Sequence, residues 1–364
     1  MRILHVSQPI EAGVANVVRD LADHQSSLGH EVAVACPDGG HLARELRSRE
    51  ITHLPWEATR NPGPGVLRES SALRRLVGQF APDLVHLHST KAGLAGRLAL
   101  RGRVPTMFEP HAWGDWAASE PVATAIRVWE KIGARWTDLT ICLSEAEAAH
   151  AVRLGIHRTI TIPNGVDTSR FAPRDRARAR RELGVDDGAR VTLCVGRLAH
   201  QKGQDLLLRS WSATATDPGA LLVLVGGGPD EQALRALARE IGESRVRFVT
   251  DCDDPRDWYA AADVVVAPSR WEGAALVPLE AMAMGRPVVG FDVGGLATTI
   301  GPNGAAIEPG DVNGLENALA KIDRGDARLP GASAITAYVS ERHSARVAFD
   351  QITAAAARLV EEKA

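Results

Sequence analysis

The stretch VTLCVGRLAHQKGQDLLLRSW, Val191–Trp211, holds the architecture in miniature. A short apolar run stops at a glycine, a basic turn follows, and from Asp205 to Trp211 the apolar spacing becomes helical. A strand without polar alternation that hands over to a helix belongs in a parallel sheet covered on both faces.

The same unit recurs in both directions. Before it lie the runs RILHVS, EVAVAC, ITHLP, DLVHLH, VPTMFEP, DLTICLS and TITIPN, separated by helical stretches such as Val14 to Leu28, Val66 to Phe80, Ala92 to Leu100 and Val122 to Trp136. After it come LLVLVG, VRFVT, DVVVAPS, PVVGFD and AAIEP, with helices at Asp230 to Ile241 and Pro255 to Ala262. The sequence predicts an α/β protein of two doubly wound, Rossmann-like domains in tandem, 1–168 and 169–345, with a C-terminal helix at 346–364 able to pack back on the first. FAPRDRARARRELGVDDGAR reads as a polar, arginine-rich connector near the join, Gly165 to Asp186.

Composition narrows the function classes. With 364 residues, 45% hydrophobic and 24% charged, the chain suits two ordinary globular domains. A formal net charge of -3 gives no electrostatic case for nucleic acid. No apolar run approaches a membrane span and MRILHVSQPIEAG reads as a buried strand, so a cytoplasmic protein is expected. Cys36, Cys142, Cys194 and Cys252 are scattered, without zinc spacing or a disulfide framework.

Ligands of open α/β sheets bind beyond the carboxyl ends of the strands. In VGRLAHQKG, Arg197 and Lys202 flank an approaching helix N-terminus, the arrangement a pyrophosphate needs, although a solvated basic turn has the same spelling. VGGGPD, with Gly227 at its centre, lets a ring or phosphate lie against bare backbone without being a full dinucleotide fingerprint. Gly13 stands just before a helix, where a simple turn is the alternative. Lys91 at a helix start opposes the local dipole and suggests an anionic partner; His111 lies just past a strand end, though a lone histidine is more often structural.

WEGAALVPLEAMAMG, Trp271–Gly285, sets two glutamates among apolar and small residues. Pro278 belongs in a first helical turn, so a helix is expected from near Val277 to Gly285, with Glu272 in the preceding loop and Glu280 one turn inside. A buried carboxylate needs a partner; a first-turn cap and a solvated loop charge would explain both residues without function.

Taken in order, Gly13, His111, the PNGVD turn at Pro163 to Asp167, VGRL with KG, GGGP, and PSRWEGAALVPLEAMAMGRPVV resemble the retaining glycosyltransferases of family 4, which have the GT-B fold. The likeness runs from Met1 to about Asp323, and its most specific part is the E-x7-E spacing of Glu272 and Glu280. It implies two domains facing across a cleft, a nucleotide-sugar held by the second and an acceptor by the first. It implies that Glu280 takes the ribose hydroxyls, that Arg197 and Lys202 take the diphosphate with the backbone of Leu276 and Val277, and that Glu272 takes hydroxyls of the donor sugar, with Gly273 a further donor-binding candidate. Val249 would lie near the base, Gly227 is a further donor-binding candidate, His111 would contact the transferred sugar, and Gly13 would open the loop nearest the diphosphate. Glu272, His111, Arg197 and Lys202 thus form the catalytic group, front-face substitution the mechanism, with no metal or other cofactor.

Two departures stand out: Ala12 precedes Gly13 where many relatives have paired glycines, and Gly273, Ala274 and Ala275 follow the first glutamate. Trp113 and Trp116 after His111 are read as an aromatic wall for an acceptor, with Lys91 beside it, whereas Trp129 and Trp136 suit a helix core equally well. Lys91, Arg97, Arg101 and Arg103 could meet an anionic membrane surface bearing a lipid-linked acceptor, or form a solvated helix face. A UDP-hexose donor and a glycan, lipid-linked or small-molecule acceptor are favoured. A sugar-phosphate epimerase or phosphorylase of the same fold and a sugar-nucleotide sensor stay open; a nicotinamide dehydrogenase lacks its glycine fingerprint.

Overall fold

The computed structural model describes residues 1–60, 63–214, 219–241 and 245–364. Its contacts divide the chain into two units, Met1–Pro163 with Arg346–Ala364, and Asn164–Ala345. Unit 1 contains β1 (Arg2–Ser7), β2 (Glu31–Cys36), β3 (Thr52–Pro55), β4 (Leu84–His88), β5 (Thr106–Glu109), β6 (Leu139–Cys142) and β7 (Thr159–Thr161). Unit 2 contains β8 (Arg190–Val195), β9 (Ala220–Val225), β10 (Val246–Val249), β11 (Val264–Ala267), β12 (Val288–Phe291) and β13 (Gly304–Ile307). Every expected strand forms. The sheet orders are β3-β2-β1-β4-β5-β6-β7 and β10-β9-β8-β11-β12-β13, with all pairs parallel.

The inner strands are largely apolar because both faces are covered. In β2, Ala33 and Ala35 join one core while Val32, Val34 and Cys36 join another. In β8 and β9, Val191, Leu193, Val223 and Val225 face one side and Cys194, Leu222 and Leu224 the other. Each strand order reverses beside its first member, between β1 and β4 and between β8 and β11, which opens a crevice at the carboxyl end of each sheet.

Several boundaries differ from the sequence reading, each for a local reason. The supposed connector contains a helix, Arg176–Leu183, capped by the Asp175 side chain accepting from Arg178 N, and it belongs to unit 2. Its Arg180 is buried, donating to Ala261 O at 3.0 Å and to Asp263 Oδ2 at 2.9 Å. Unit 2 begins at Asn164 because Val166 bridges to Ser344 and Asn164 donates to Ala274 O at 2.9 Å. The helix expected over Val122 to Trp136 stops at Gly133 and tightens into a 3-10 turn, Ala134–Trp136. The helix at the two glutamates spans Leu276–Ala283, with Gly285 just beyond at φ 75°. The C-terminal helix Ala345–Lys363 meets the rest of unit 1 through Asp350 with His24 at 2.8 Å, Glu362 with Arg158 at 2.9 Å and Lys363 with Asp138 at 2.7 Å. Among the described residues no helix is long and apolar enough to cross a membrane.

Candidate active site

In unit 2 four loops leave the carboxyl ends of β8, β9, β10 and β11 and brace one another. Gly196 N donates to Val225 O at 2.9 Å, Leu198 N to Gly227 O at 3.0 Å and Gly226 N to Val249 O at 2.9 Å. A Cβ on Gly226 would overlap Gly196 O, and one on Gly228 would overlap Leu198 O, so these two glycines allow the β8 and β9 turns to lie backbone to backbone. Gly203, at φ 65°, crosses directly over Pro268 O. The β8 and β11 loops are further pinned by Arg270 N to Gln201 O at 2.8 Å and by Arg270 to both oxygens of Asp205 at 2.8 and 2.7 Å.

That bracing brings the expected residues together. One recess is lined by Cys194, Lys202, Pro268, Ser269, Glu272 and Val277. Lys202 Nζ ion-pairs with Glu272 Oε1, which also accepts from Ser269 Oγ at 2.7 Å. Glu280 Oε2 accepts from Tyr259 OH at 2.7 Å. Burial raises the Glu280 carboxyl above its usual range, against the pull of the Tyr259 hydrogen bond, and raises the Tyr259 phenol far above its own. Each carboxylate therefore has a partner inside the chain, which the sequence reading had sought in a ligand. Each also keeps an oxygen, Glu272 Oε2 and Glu280 Oε1, that takes no hydrogen bond from the described residues.

The remaining unit 2 candidates lie on the neighbouring loops and in the helix that follows. Leu276 and Val277 occupy the first turn of Leu276–Ala283, where no side chain caps the helix and the first amides have no intrahelical acceptor. Arg197 is exposed on the β8 turn, its carbonyl held by Gln204 Nε2 at 3.0 Å. Gly227 is exposed, Val249 half-buried at the end of β10, and Gly273 buried. A Cβ on Gly294 would come within 2.8 Å of Glu272 O and Gly273 O, so this glycine admits the loop carrying Glu272.

Unit 1 treats its candidates differently. Lys91, read as facing an anionic partner, is buried and ion-paired with Glu69 at 2.6 Å; the opposed helix dipole is answered inside the fold. Arg97 is buried as well, gripping both oxygens of Glu130 at 2.8 and 3.1 Å, so neither residue lies on a solvated or membrane-facing surface. Trp113 is a core residue, 1% exposed, donating to Glu147 O at 3.1 Å and set edge-on to Phe108; it forms no open wall. Trp116 is half-buried and donates to His150 Nδ1 at 3.3 Å. Gly13 lies within the first turn of the helix Ala12–Ser27, behind Ala12 at φ 61°, a left-handed conformation that explains why glycine suits that position.

His111 is the unit 1 candidate that stands in a polar cluster. Its Nε2 lies 3.1 Å from His88 Nδ1 and its Nδ1 lies 3.3 Å from Glu109 Oε1. His86 Nε2 is 3.3 Å from Glu109 Oε2, and His5 Nδ1 is 3.0 Å from His88 Nε2. Burial pulls His5 and His86 down to about 3, takes His88 well below its usual value, lowers His111 against the pull of Glu109, and raises Glu109. Burial also lifts Glu147 to about 7, although Leu143 N and Ala112 N both donate to it at 2.8 Å. The backbone past β5 is left-handed at His111, φ 54°, and Ala112, φ 108°, strain of the kind that gathers at functional sites.

The sequence reading passed over Tyr259, Ser269 as a donor, Asn164 as a brace, Gly294, and the companions of His111. A signal for the last was present, since His86 and His88 in LVHLH lie two apart and share a face of the central strand β4.

Residues 12–170 match the family model described as Glycosyltransferase Family 4, and residues 189–323 the one described as Glycosyl transferases group 1. The chain is 35% identical over 349 residues to D-inositol 3-phosphate glycosyltransferase 2 of Catenulispora acidiphila, covering 85% of this chain and 82% of that one. It is 30% identical over 361 residues to the lipopolysaccharide core biosynthesis mannosyltransferase LpsB of Rhizobium meliloti, covering 96% and 94%. Among solved structures, Anabaena HepE in complex with UDP and glucose superposes with a TM-score of 0.86 at 25% identity, covering 98% of this chain and all of that one.

Proposed function

The chain belongs to the glycosyltransferases that those family models describe, with the GT-B fold, and on that premise we propose that it is a retaining hexosyltransferase using a UDP-sugar and a glycan, lipid-linked or small-molecule acceptor. The observation that carries the reading is the recess where Lys202, Ser269 and Glu272 meet the uncapped turn at Leu276 and Val277, with the open Glu280 oxygen nearby. Two families of donors, cationic and amide, converge where a diphosphate would lie, and two carboxylate oxygens stand ready for hydroxyls.

In this reading unit 2 binds the donor. Glu280 Oε1 accepts from a ribose hydroxyl, Glu272 Oε2 from a hydroxyl of the hexose, and Val249 and Gly227 line the base. The acceptor oxygen attacks the anomeric carbon from the face that the diphosphate leaves; the new C–O bond forms as the C–O bond to phosphate breaks, and the acceptor proton passes to a phosphate oxygen. Arg197, Lys202 and the helix amides stabilise the charge that gathers on the leaving group, the largest contribution such a site can make. The reaction so described needs no metal. His111 belongs to the transferred sugar's surroundings and Gly13 to those of the diphosphate. HepE's complex with UDP and glucose supports UDP as the base carrier. An acceptor bearing phosphate or lipid is supported by the names of the C. acidiphila and R. meliloti relatives.

A thermal-shift screen against UDP, GDP, ADP and dTDP and their sugars tests the reading. At 100 times its dissociation constant the correct nucleotide stabilises the native protein by about 2.7 kcal/mol. The expected result is a rise with UDP that is lost in Glu280→Ala, and UDP release only when acceptor is present. Equal nucleotide affinity in wild type and Glu280→Ala, or release of sugar phosphate in place of UDP, would sink it.

A further inference from the structure

The histidines of unit 1 are joined in a chain whose direction can be worked out atom by atom. It starts on the C-terminal helix, at Phe349 O, which can only accept. Thr353 Oγ1 donates to it at 2.8 Å, so the hydroxyl has spent its proton and must accept from Gln25 Nε2 at 3.3 Å. That fixes the Gln25 amide, whose Oε1 then faces His5 Nε2 at 2.7 Å and requires a proton there. The His5, His86 and His88 rings are at most 1% exposed, and cationic forms of all three could not stand together at that depth. A neutral His5 protonated on Nε2 offers the lone pair of Nδ1, so His88 Nε2 donates across 3.0 Å. The lone pair of His88 Nδ1 in turn receives Nε2–H of His111 across 3.1 Å. His111 Nδ1 is left as a lone pair opposite Glu109 Oε1 at 3.3 Å, and His86 Nε2 faces the other oxygen at the same distance. Burial raises the Glu109 carboxyl, and neither of its oxygens, nor His86 Nε2, forms a hydrogen bond with the described residues, so the directed chain ends at His111.

We propose that Thr353, Gln25, His5 and His88 are positioning residues for His111: a one-way hydrogen-bond chain from Phe349 O holds its ring as the Nε2–H tautomer against His88, and so holds the left-handed turn at His111 and Ala112 in place. This rests on the reading that His111 borders the transferred sugar. The Nε2–H of His111 is spent on His88, so that proton is not offered to substrate and the ring anchors the backbone. The far end of the turn is fixed independently by Ala112 N donating to Glu147 Oε1 at 2.8 Å. The same assignment leaves no three lone pairs free for a cation, although His5, His86 and His88 are close enough to suggest one.

The test uses Thr353→Val, which removes the hydroxyl on the C-terminal helix of unit 1, beside Thr353→Ser, which keeps it. Nitrogen-15 NMR of the imidazoles should show Nε2–H for His5, His88 and His111 in wild type and the serine variant. In the valine variant Gln25 can turn over, and the three tautomers should become mixed, with kcat lowered about tenfold, the scale of one lost hydrogen bond, and donor KM unchanged. Wild-type rings protonated on Nδ1, tautomers indifferent to Thr353→Val, or mixed tautomers with unchanged kcat would each overturn the proposal. So would stoichiometric zinc binding that shifts these resonances. If no transfer is found with any donor, the proposed function fails on its own, and the NMR still decides whether the chain runs as assigned.

Discussion

At the strand ends of unit 2, charged side chains are held by one atom and left open at another: Glu272 is fixed through Oε1 and Glu280 through Oε2, each with a second oxygen that takes no hydrogen bond from the described residues. At the corresponding ends of unit 1 polar groups close on one another, Lys91 on Glu69 and His111 on His88, as Arg97 does on Glu130 in the last turn of the helix Ser89–Leu100. A residue that is half satisfied is preorganised for a ligand, since its orientation has been set in advance while its capacity to bind remains. A residue that is fully satisfied shapes backbone and stability. Proximity to a strand end does not separate the two; the inventory of used and unused atoms does.

The contrast can be broken most decisively at Lys91. Its replacement by alanine strands the buried Glu69 charge and should cost unit 1 about 3–5 kcal/mol of stability in urea melts, with nucleotide affinity unchanged. Loss of acceptor affinity without loss of stability would return Lys91 to the binding residues. Lys202→Ala should behave in the opposite manner, leaving the melt nearly unaltered while transfer falls roughly 10²–10³-fold, about 2.7–4 kcal/mol of transition-state stabilisation. A variant that merely unfolds would place Lys202 with Lys91.

Acid should separate the units more gently. His5 and His86 have folded values near 3, below the unfolded 6.5, so the unfolded chain binds more protons between them. Their contribution is present above that window and is lost as pH falls through it, by up to about 1.4 kcal/mol per histidine per pH unit. Glu147, raised from 4.5 to about 7, has the opposite sign over its own window, so the net loss is steepest below 4.5. Hydrogen exchange at pH 4 and pH 8 should show β1 and β4 losing protection before β8 and β11; simultaneous loss would remove the distinction. The smallest effect is expected from Ala12→Gly. Relieving a left-handed alanine should raise stability by about 0.5–1 kcal/mol, less than the intrinsic conformational penalty because the unfolded chain also gains freedom. A lower melting temperature would mean that the alanine methyl packs usefully where it is.

The strands and their parallel direction were legible because inner strands covered on both faces read as short, mostly apolar runs alternating with helical segments. The closeness of Lys202 to Glu272 in unit 2 was legible for a related reason: both lie in loops whose glycines and proline fix backbone shape locally, as Gly203 and Gly228 do at their close approaches. The neighbours that decide the state of Lys91 and Trp113 are distant in sequence, Glu69 and Glu147, and no local pattern announces them. Helix limits failed where a side chain overrode composition, as when Asp175 capped and Arg180 anchored a segment that reads as a charged linker. Tyr259 was invisible because a tyrosine in an apolar helix looks like core, and it is core, apart from the hydroxyl that reaches Glu280.

The side-by-side pairing of Val166 with Ser344 gives the molecule the topology of a cassette. Unit 2 leaves and re-enters unit 1 at adjacent residues, so close that a methyl on Gly165 would strike Ala345. A segment whose two ends meet can be lifted out and replaced with only two junctions to design, and its partner can be rejoined across a short splice. Exchange of one half for that of a relative, with the other retained, is thus a change of two seams.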